Sequence, residues 1–140
     1  MSTPTPDPEL FARAGLVQAL RIVPEQVGEG RAIAHFEVDA VHSQHHGFVH
    51  AGAVATLADH TAGAAANALV AEGKAVLTVE FKINLLKPVL GPRVTAEAEV
   101  LRAGRQLHVV ESRVYAGAPR ALVAIALVTL SVVDTPTVRT

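Results

Sequence analysis

The alanine-rich segment from Ala51 to Glu72 limits the possible folds of this chain more than any other feature. It has no proline and no strand-like alternation, so it predicts a helix of about twenty residues that ends before Gly73. Apolar side chains lie on every side of this helix. A helix that is apolar all round is buried, so the rest of the chain must surround it.

After Gly73 the hydrophobic pattern changes to a period of two, which is typical of strands. Val79, Phe81, Ile83 and Leu85 share one face of the first strand. Three more strand-like segments follow, at residues 93–101, 105–117 and 120–133, and short Gly- and Pro-containing turns separate them. The short turns predict a four-strand antiparallel meander. The last strand is apolar on both faces over residues 121–133, so we expect it to be central in the sheet or covered by a partner.

The N-terminal part adds a short helix and a hairpin. Residues 1–8 contain three prolines and are expected to be a frayed lead-in. The spacing of apolar residues predicts a helix over 9–17, and residues 20–27 and 31–38 form a hairpin around Gly28-Glu29-Gly30. The chain is therefore expected to be one domain, 1–140, of the α+β class, with a long central helix wrapped by a curved antiparallel sheet of about five to six strands.

The composition excludes several classes of function. Half of the 140 residues are hydrophobic, the net charge is −1 and there is no cysteine. A chain without basic excess and with few aromatic residues is not expected to bind nucleic acid. Disulfides, thiolate metal sites and a cysteine nucleophile are excluded. The N-terminus lacks a signal-peptide pattern and the longest apolar tract is too short to span a bilayer, so we expect a cytoplasmic protein that does not bind membranes.

Asp59 is a lone carboxylate on the predicted buried helix. Most helix carboxylates are solvated and have no function, and that interpretation stays open here. However, Leu57, Ala58 and several alanines surround Asp59, and partial burial changes the reactivity of a carboxylate. The residues alone make a solvated position and a functional position about equally plausible.

The start of the same helix is a second candidate. Residues Gly47 to Gly52 form a turn before it, and the first amides of a helix lack internal partners and attract negative charge. Ala51 and Asp59 are eight residues apart, about 12 Å along the axis, so one helix cannot direct both groups at one carbonyl. Two antiparallel copies related by a two-fold axis can. If both features are functional, the protein is at least a homodimer, or a dimer of dimers.

The histidines of this region suggest a metal, but only weakly. His42, His45, His46 and His50 lie in a predicted loop, and their spacing matches no known ligand pattern. Loop histidines are more often solvated or hydrogen-bonded. We expect no metal and no cofactor.

The motif Gly47-Phe-Val-His50-Ala-Gly52, then Leu57-Ala-Asp59 and the strand TVEFKINLLKP, resembles the PaaI-like acyl-CoA thioesterases of the hotdog fold. The resemblance extends from the first hairpin to the end of the chain. It implies hydrolysis of an acyl-CoA to a free acid and coenzyme A. The pattern of this family is roughly G-x-x-H-G-G followed by L-A-D.

The resemblance implies a role for each matching residue. Asp59 is the catalytic carboxylate, as nucleophile or as the base that activates water, and the amide of Ala51 polarises the thioester carbonyl. His50 shapes the turn and contacts the thioester. Thr78 helps to hold the attacking water, and Gln44 stands where several members have an asparagine.

Two positions depart from the family pattern. Ala51 replaces a glycine, which keeps an amide if alanine tolerates the local backbone conformation. Gln44 is longer than asparagine, so His45 or His46 could take its role. His60 follows the acid directly, but it points about 100° round the helix, so it is not expected to form a catalytic dyad with Asp59.

The remaining expectations concern the substrate. Gly52 would allow a ligand to approach closely, and Phe48 and Phe81 would line an acyl pocket. Arg102 and Arg105 flank a turn and are the better pair for the phosphates of coenzyme A, ahead of Lys82 and Lys87, although all four are equally explained as edge-strand charges. Two alternative functions stay open, a non-catalytic acyl-CoA-binding protein and a hotdog hydratase or dehydratase. The characteristic His-containing motifs of the hydratases are not present in matching form.

Overall fold

A computed structural model describes residues 8–136. Within them the helices are α1 (Pro8–Ala12), α2 (Gly15–Ala19) and α3 (Ala51–Asn67), and a 3-10 turn spans Ala40–His42. The strands are β1 (Val23–Gly28), β2 (Arg31–Glu37), β3 (Lys74–Leu85), β4 (Arg93–Ala103), β5 (Leu107–Ala116) and β6 (Ala121–Asp134). None of the helices in this part of the chain is long and apolar enough to cross a bilayer.

The strands form one antiparallel sheet in the order β1-β2-β4-β5-β6-β3. The sheet curves around α3, which contacts every strand. This arrangement is the hotdog fold that the motif implied, so that prediction is confirmed. β6 lies between β5 and β3, which accounts for its apolar character on both faces.

Helix α3 is buried because its side chains are small. Ala58, Ala62, Ala65 and Ala66 are fully inaccessible to solvent, and alanine lets neighbouring strands approach the helix backbone closely. The buried hydroxyl of Thr61 donates a 2.6 Å hydrogen bond to the carbonyl of Leu57, which removes the cost of burying it. The larger core side chains come from the sheet, and they include Phe36, Val94, Val110, Val114, Val128 and Leu130.

The predicted end of the long helix is wrong by five residues. The helix stops at Asn67 instead of Glu72. Gly73 has φ of +79° and belongs to the turn that enters β3, where the amide of Lys74 donates to the carbonyl of Ala71. Glycine therefore marks a chain reversal here and not the helix end.

The predicted N-terminal helix is two helices. α1 and α2 are separated because Ala14 adopts an extended conformation immediately before Gly15. The predicted lead-in of residues 1–8 lies outside the described residues, except for Pro8, which begins α1. The hairpin is confirmed. Glu29 and Gly30 have φ of +54° and +75°, as a two-residue hairpin turn of type I′ requires.

The predicted four-strand meander is wrong for its first strand. β4, β5 and β6 are consecutive neighbours, but β3 pairs with β6 at the opposite edge of the sheet from β1. The Pro- and Gly-containing segment after Leu85 is therefore a crossover and not a hairpin turn. Backbone hydrogen bonds hold this segment in place, and they include those from the amide of Leu86 to the carbonyl of Val123, from the amide of Val49 to Val89 and from the amide of Val38 to Pro92.

Strand β3 contains a β-bulge at Val79. Thr78 pairs with Leu130 and Glu80 pairs with Thr129, so Val79 is an extra residue without a partner on β6. The predicted face consisting of Val79, Phe81, Ile83 and Leu85 is therefore incorrect at its first member. A bulge redirects the side chains on one side of it, and here it turns Thr78 toward α3 on the face that also holds Phe81.

Candidate active site

Asp59 and Thr78 are in direct contact. The hydroxyl of Thr78 donates a 2.8 Å hydrogen bond to Oδ1 of Asp59. The carboxylate is partly buried on the third turn of α3, and Thr78 is exposed at the edge of the sheet. Because the bulge turns Thr78 inward, the sequence pattern alone would have placed its hydroxyl on the opposite face. The hydroxyl of Thr78 thus lies beside the acid, while its role in holding a water molecule stays a prediction. Oδ2 of Asp59 has no protein donor among the described residues.

His60 is occupied elsewhere. Its Nε2 lies 2.8 Å from the carbonyl oxygen of Phe11, and its ring packs against the Phe11 ring with centroids 4.0 Å apart. Burial lowers the pKa of His60 below its ordinary value, against the opposing effects of the Phe11 carbonyl and the Asp59 charge. The neutral ring donates from Nε2 to Phe11 and tethers α1 to α3. This geometry agrees with the prediction that His60 is not a dyad partner of Asp59.

The start of α3 leaves one amide without an acceptor. His50 is the N-cap, and its Nδ1 accepts a 2.8 Å hydrogen bond from the amide of Gly52. Its carbonyl accepts from the amides of Ala53 and Val54. In residues 8–136 no acceptor faces the amide of Ala51. Ala51 is helical and is not among the residues with positive φ, so alanine is tolerated at this position.

The space in front of Gly52 is filled by His50. A Cβ atom added at Gly52 would lie 3.0 Å from Nδ1 of His50, which is closer than ordinary contacts. Glycine therefore allows the His50 ring to fold back over the helix end. The acceptor role of Nδ1 places the proton of the neutral ring on Nε2. Contact between Gly52 and a substrate stays a prediction.

His42 is a structural residue that the sequence interpretation missed. Its ring is fully buried and stacks on Phe36 with centroids 4.0 Å apart. Nδ1 accepts from the amide of Asp39 and Nε2 lies 2.6 Å from the carbonyl of Leu20. The carbonyl of His42 accepts from the amide of His50. His42 thus anchors the loop before α3, and the sign in the sequence was an Asp three residues before a His, as in a capping box.

The other loop residues lie at the rim of a cavity. The side-chain oxygen of Gln44 accepts from the amide of His46. Gln44, Phe48, His50 and Ala51 line one side of a cavity of about 590 Å³, and residues 85–89 form the other side. His45 and His46 are exposed and pack on each other. In the described part of the chain no three residues of metal-ligand type converge.

Asp59 does not line that cavity. It lines a separate cavity of about 340 Å³, together with Thr56 and Phe81. A protomer by itself therefore separates the acid from the Ala51 amide, as the helix geometry predicted. Arg102 and Arg105 are exposed beside Gly104. That turn lies near the C-terminal end of α3, where the His108 ring faces the backbone of Ala66 and Gly104. Neither arginine lines the cavity of about 590 Å³ next to Ala51 within one protomer.

Comparison with known proteins identifies the family of this chain. The family model described as the thioesterase superfamily matches residues 46–123, which contain both candidate site features. The chain belongs to the thioesterase superfamily. It is a thioester hydrolase of the hotdog fold, and the resemblance drawn from the motif is confirmed.

Individual relatives of this thioesterase agree with that assignment. A thioesterase family protein from Silicibacter pomeroyi is 36% identical, with a TM-score of 0.87 over 91% of this chain and 95% of that one. The PaaI protein of E. coli, from the phenylacetic acid degradation operon, is 24% identical with a TM-score of 0.81, over 90% of this chain and 89% of that chain, and this likeness concerns the fold. A 1,4-dihydroxy-2-naphthoyl-CoA hydrolase from Listeria monocytogenes is 29% identical over 71% of this chain and 81% of its own length.

Proposed function

We propose that this thioesterase hydrolyses acyl-CoA thioesters in a site shared by two subunits. The hydrogen bond between Thr78 and Asp59 carries the proposal. It fixes one oxygen of a partly buried carboxylate and leaves the other for chemistry at the edge of a cavity. A carboxylate held in this way is suited to attack a carbonyl or to accept a proton from water. The similarity to a naphthoyl-CoA hydrolase supports coenzyme A as the thiol.

Two reaction routes use the same groups. In one, Asp59 attacks the thioester carbon, the thiolate of coenzyme A leaves and takes up a proton, and water hydrolyses the resulting anhydride. In the other, Asp59 accepts a proton from water as that water attacks the carbonyl, and the collapse of the tetrahedral intermediate expels the thiol. In both routes negative charge develops on the carbonyl oxygen. An unpaired helix amide such as that of Ala51 stabilises such a charge.

The distance between these groups supports a dimer. Ala51 and Asp59 are about 12 Å apart along one helix, so the amide must come from a second copy. β3 is an edge strand of 12 residues. Its apolar side chains include Leu77, Val79 and Leu85, each of which is at least half exposed to solvent. A long apolar edge is a template for strand pairing, and β3 pairing across a two-fold axis would bring the two α3 helices side by side.

The remaining residues take supporting roles in this proposal. His50 fixes the helix end and presents Nε2 to the thioester, and Gln44 orients the thioester or water. Phe48 and Phe81 provide apolar contact near the reacting group. Arg102 and Arg105 bind phosphates of coenzyme A that is held against the partner subunit. The cytoplasmic location stays a prediction of the sequence, as does a tetramer built from two dimers.

A panel of acyl-CoA substrates tests the proposed function. With free thiol as the readout, the wild-type protein is expected to release coenzyme A from at least one substrate in many turnovers. A non-catalytic binding protein would bind acyl-CoA without releasing thiol. A hydratase would consume the conjugated double bond of an enoyl-CoA without releasing thiol. Either result would replace the proposed function by one of the alternatives.

Replacing Thr78 by Val is expected to lower kcat/KM about tenfold, within the range seen when a catalytic group loses one orienting hydrogen bond. Valine has nearly the same shape and the position is exposed, so the melting temperature should change little. Thr78→Ser keeps the hydroxyl and is the matched control, with activity near that of the wild type. Equal activity of the Val and Ser variants would show that the contact with Asp59 has no catalytic role.

Sedimentation at micromolar concentration is expected to show no stable monomer. The reason is the exposed apolar edge of β3 together with the division of the site between two helices. Substituting Val79 by Asp adds a charge to that edge and should increase the monomer fraction and lower activity in parallel. A folded monomer with full activity would contradict both the dimer and the shared site.

A further inference from the structure

His60 follows Asp59 on α3, and neither of the two proposed reaction routes gives it a role. The residue is half-buried and lines two cavities. The first is the cavity of about 340 Å³ that Asp59 also lines. The second, of about 310 Å³, lies along the C-terminal half of α3 and is lined by Thr78 as well. His60 is therefore next to the reacting groups, although it makes no hydrogen bond with Asp59.

The two ring nitrogens of His60 are in different situations. Nε2 lies 2.8 Å from the carbonyl oxygen of Phe11 and donates to it. This hydrogen bond places the proton of the neutral ring on Nε2 and leaves a lone pair on Nδ1. Nδ1 has no hydrogen-bond partner among the described residues, and it is not one of the unpartnered polar atoms that are sealed from solvent. A water molecule can therefore reach Nδ1 and donate to it.

The ring is also held in one orientation and kept uncharged. Phe11 belongs to the hydrophobic core, and its ring packs against the His60 ring with centroids 4.0 Å apart. Burial lowers the pKa of His60 below its ordinary value, with the Phe11 carbonyl and the Asp59 charge acting in the opposite direction. A neutral, oriented imidazole with one free lone pair has the properties of a general base.

The route in which Asp59 attacks the thioester needs a second base. Once the anhydride has formed, the Asp59 carboxylate is part of it and cannot accept a proton. The water that hydrolyses the anhydride must nevertheless lose a proton as it attacks. The hydroxyl of Thr78 is not a base near neutral pH. Within residues 8–136, His60 is the only other titratable side chain that lines the cavity with Asp59.

The groups that the proposed dimer brings from the other copy do not supply this base. The amide of Ala51 is a donor. Nδ1 of His50 accepts from the amide of Gly52, so Nε2 carries the proton and also donates. The side chain of Gln44 is an amide, which does not take up a proton near neutral pH. The base of the second step is therefore sought on the same subunit as Asp59.

Building on the proposed function and on its route through an anhydride, we propose that Nδ1 of His60 is the base that activates water for the second step. The water oxygen bonds to the acyl carbon while its proton moves to Nδ1. The bond between that carbon and the Asp59 oxygen then breaks, which restores the carboxylate and releases the acid. His60 finally gives the proton to solvent. It acts on water and not on Asp59, in agreement with the absence of a dyad.

Replacing His60 by Gln tests this role. The side-chain amide of glutamine can donate to the Phe11 carbonyl in place of Nε2, but it cannot accept a proton. On the acyl-CoA that the wild type hydrolyses fastest, rapid mixing is expected to show a burst of about one thiol per Asp59 site, followed by slow turnover. The steady-state kcat should fall about a hundredfold. KM should fall in parallel and kcat/KM should stay near the wild-type value, because thiol release precedes the slowed step.

Three controls accompany this variant. Acid quenching and mass spectrometry of peptides should find the acyl group on the peptide that contains Asp59. The double variant Asp59→Asn/His60→Gln should show no burst. His35→Gln makes the same change on β2, where His35 pairs with Glu25 at 2.6 Å and lines neither cavity. Its kcat and KM should stay within about twofold of the wild type.

His60→Ala gives a second test that does not depend on the glutamine side chain. Its second phase should be as slow, and imidazole added to the solution should accelerate that phase, because the vacated space admits the free base. Imidazole should have no such effect on His60→Gln, whose side chain fills the space. Unchanged kinetics in the folded variants, or equal losses of kcat and kcat/KM without a burst or rescue, would overturn the role of His60. Only a wild type that releases no thiol would count against the proposed function itself.

Discussion

Replacing Asp59 by Asn is expected to lower kcat by at least about a hundredfold, the usual cost of losing a general base or nucleophile. Asparagine has almost the same shape and can still accept the hydrogen bond from Thr78. The fold and the substrate affinity should therefore be nearly unchanged, and the loss should appear in kcat and not in KM. Thiol release under saturating substrate measures it.

Asp134→Asn provides the matched control. Asp134 is exposed and pairs with Lys74 at 2.6 Å, at the ends of β6 and β3. The same loss of a carboxylate there should leave kcat within about twofold of the wild type, as is usual for surface substitutions. If folded Asp59→Asn protein hydrolyses acyl-CoA as fast as this control, Asp59 is a structural residue and the catalytic group lies elsewhere.

Mixing two inactive variants is expected to restore activity. Ala51→Val places a β-branched side chain beside the unpaired amide and the cavity rim, which should block the carbonyl without removing Asp59. After subunit exchange with Asp59→Asn, each mixed dimer has one site with a normal Ala51 and a normal Asp59. Random exchange makes half of the dimers mixed, so about a quarter of the wild-type rate should return.

The double variant Ala51→Val/Asp59→Asn is the control for this experiment. Mixed with Asp59→Asn, it cannot form an intact site, so no activity should return. Exchange itself can be followed by native mass spectrometry of isotope-labelled subunits. If exchange is complete and the two single variants together remain as inactive as each parent, the amide and the acid do not act across the interface.

The local hydrophobic patterns were sufficient to predict most helices and strands, but they did not predict which strands pair with each other. The apolar residues on all sides of α3 indicate burial regardless of what covers them. β3 joins β6 and not β4, because pairing between segments distant in the chain is decided by packing around α3. A Pro- and Gly-rich segment after Leu85 has the same appearance whether it closes a hairpin or crosses the sheet. The end of α3 at Asn67 was missed for a similar reason, since residues 68–72 have good helix propensity and the chain must nevertheless turn there to enter β3.

In the candidate site, too, the features that depend on neighbouring residues were predicted, and those that depend on contacts between distant residues were not. Asp59 and Ala51 were found from residue type and from their spacing on a single helix. The role of His42 depends on its contacts with Leu20 and Phe36, which are distant in the chain. No residue near His42 in the sequence indicates these contacts. The cavity along the C-terminal half of α3 is harder still to predict, because its lining residues Phe11, Val27 and Leu130 meet only after the sheet has curved around α3.

The bulge at Val79 has a consequence for the length of β3. Val76 and Thr78 face α3, as do Phe81, Ile83 and Leu85. Even-numbered residues thus face inward before the bulge and odd-numbered residues after it. Inserting or deleting one residue between Thr78 and Phe81 reverses one half of the strand, whereas a change of two residues preserves both halves. The site therefore restricts the parity of the residue count in this strand as strictly as it restricts the identity of the residues.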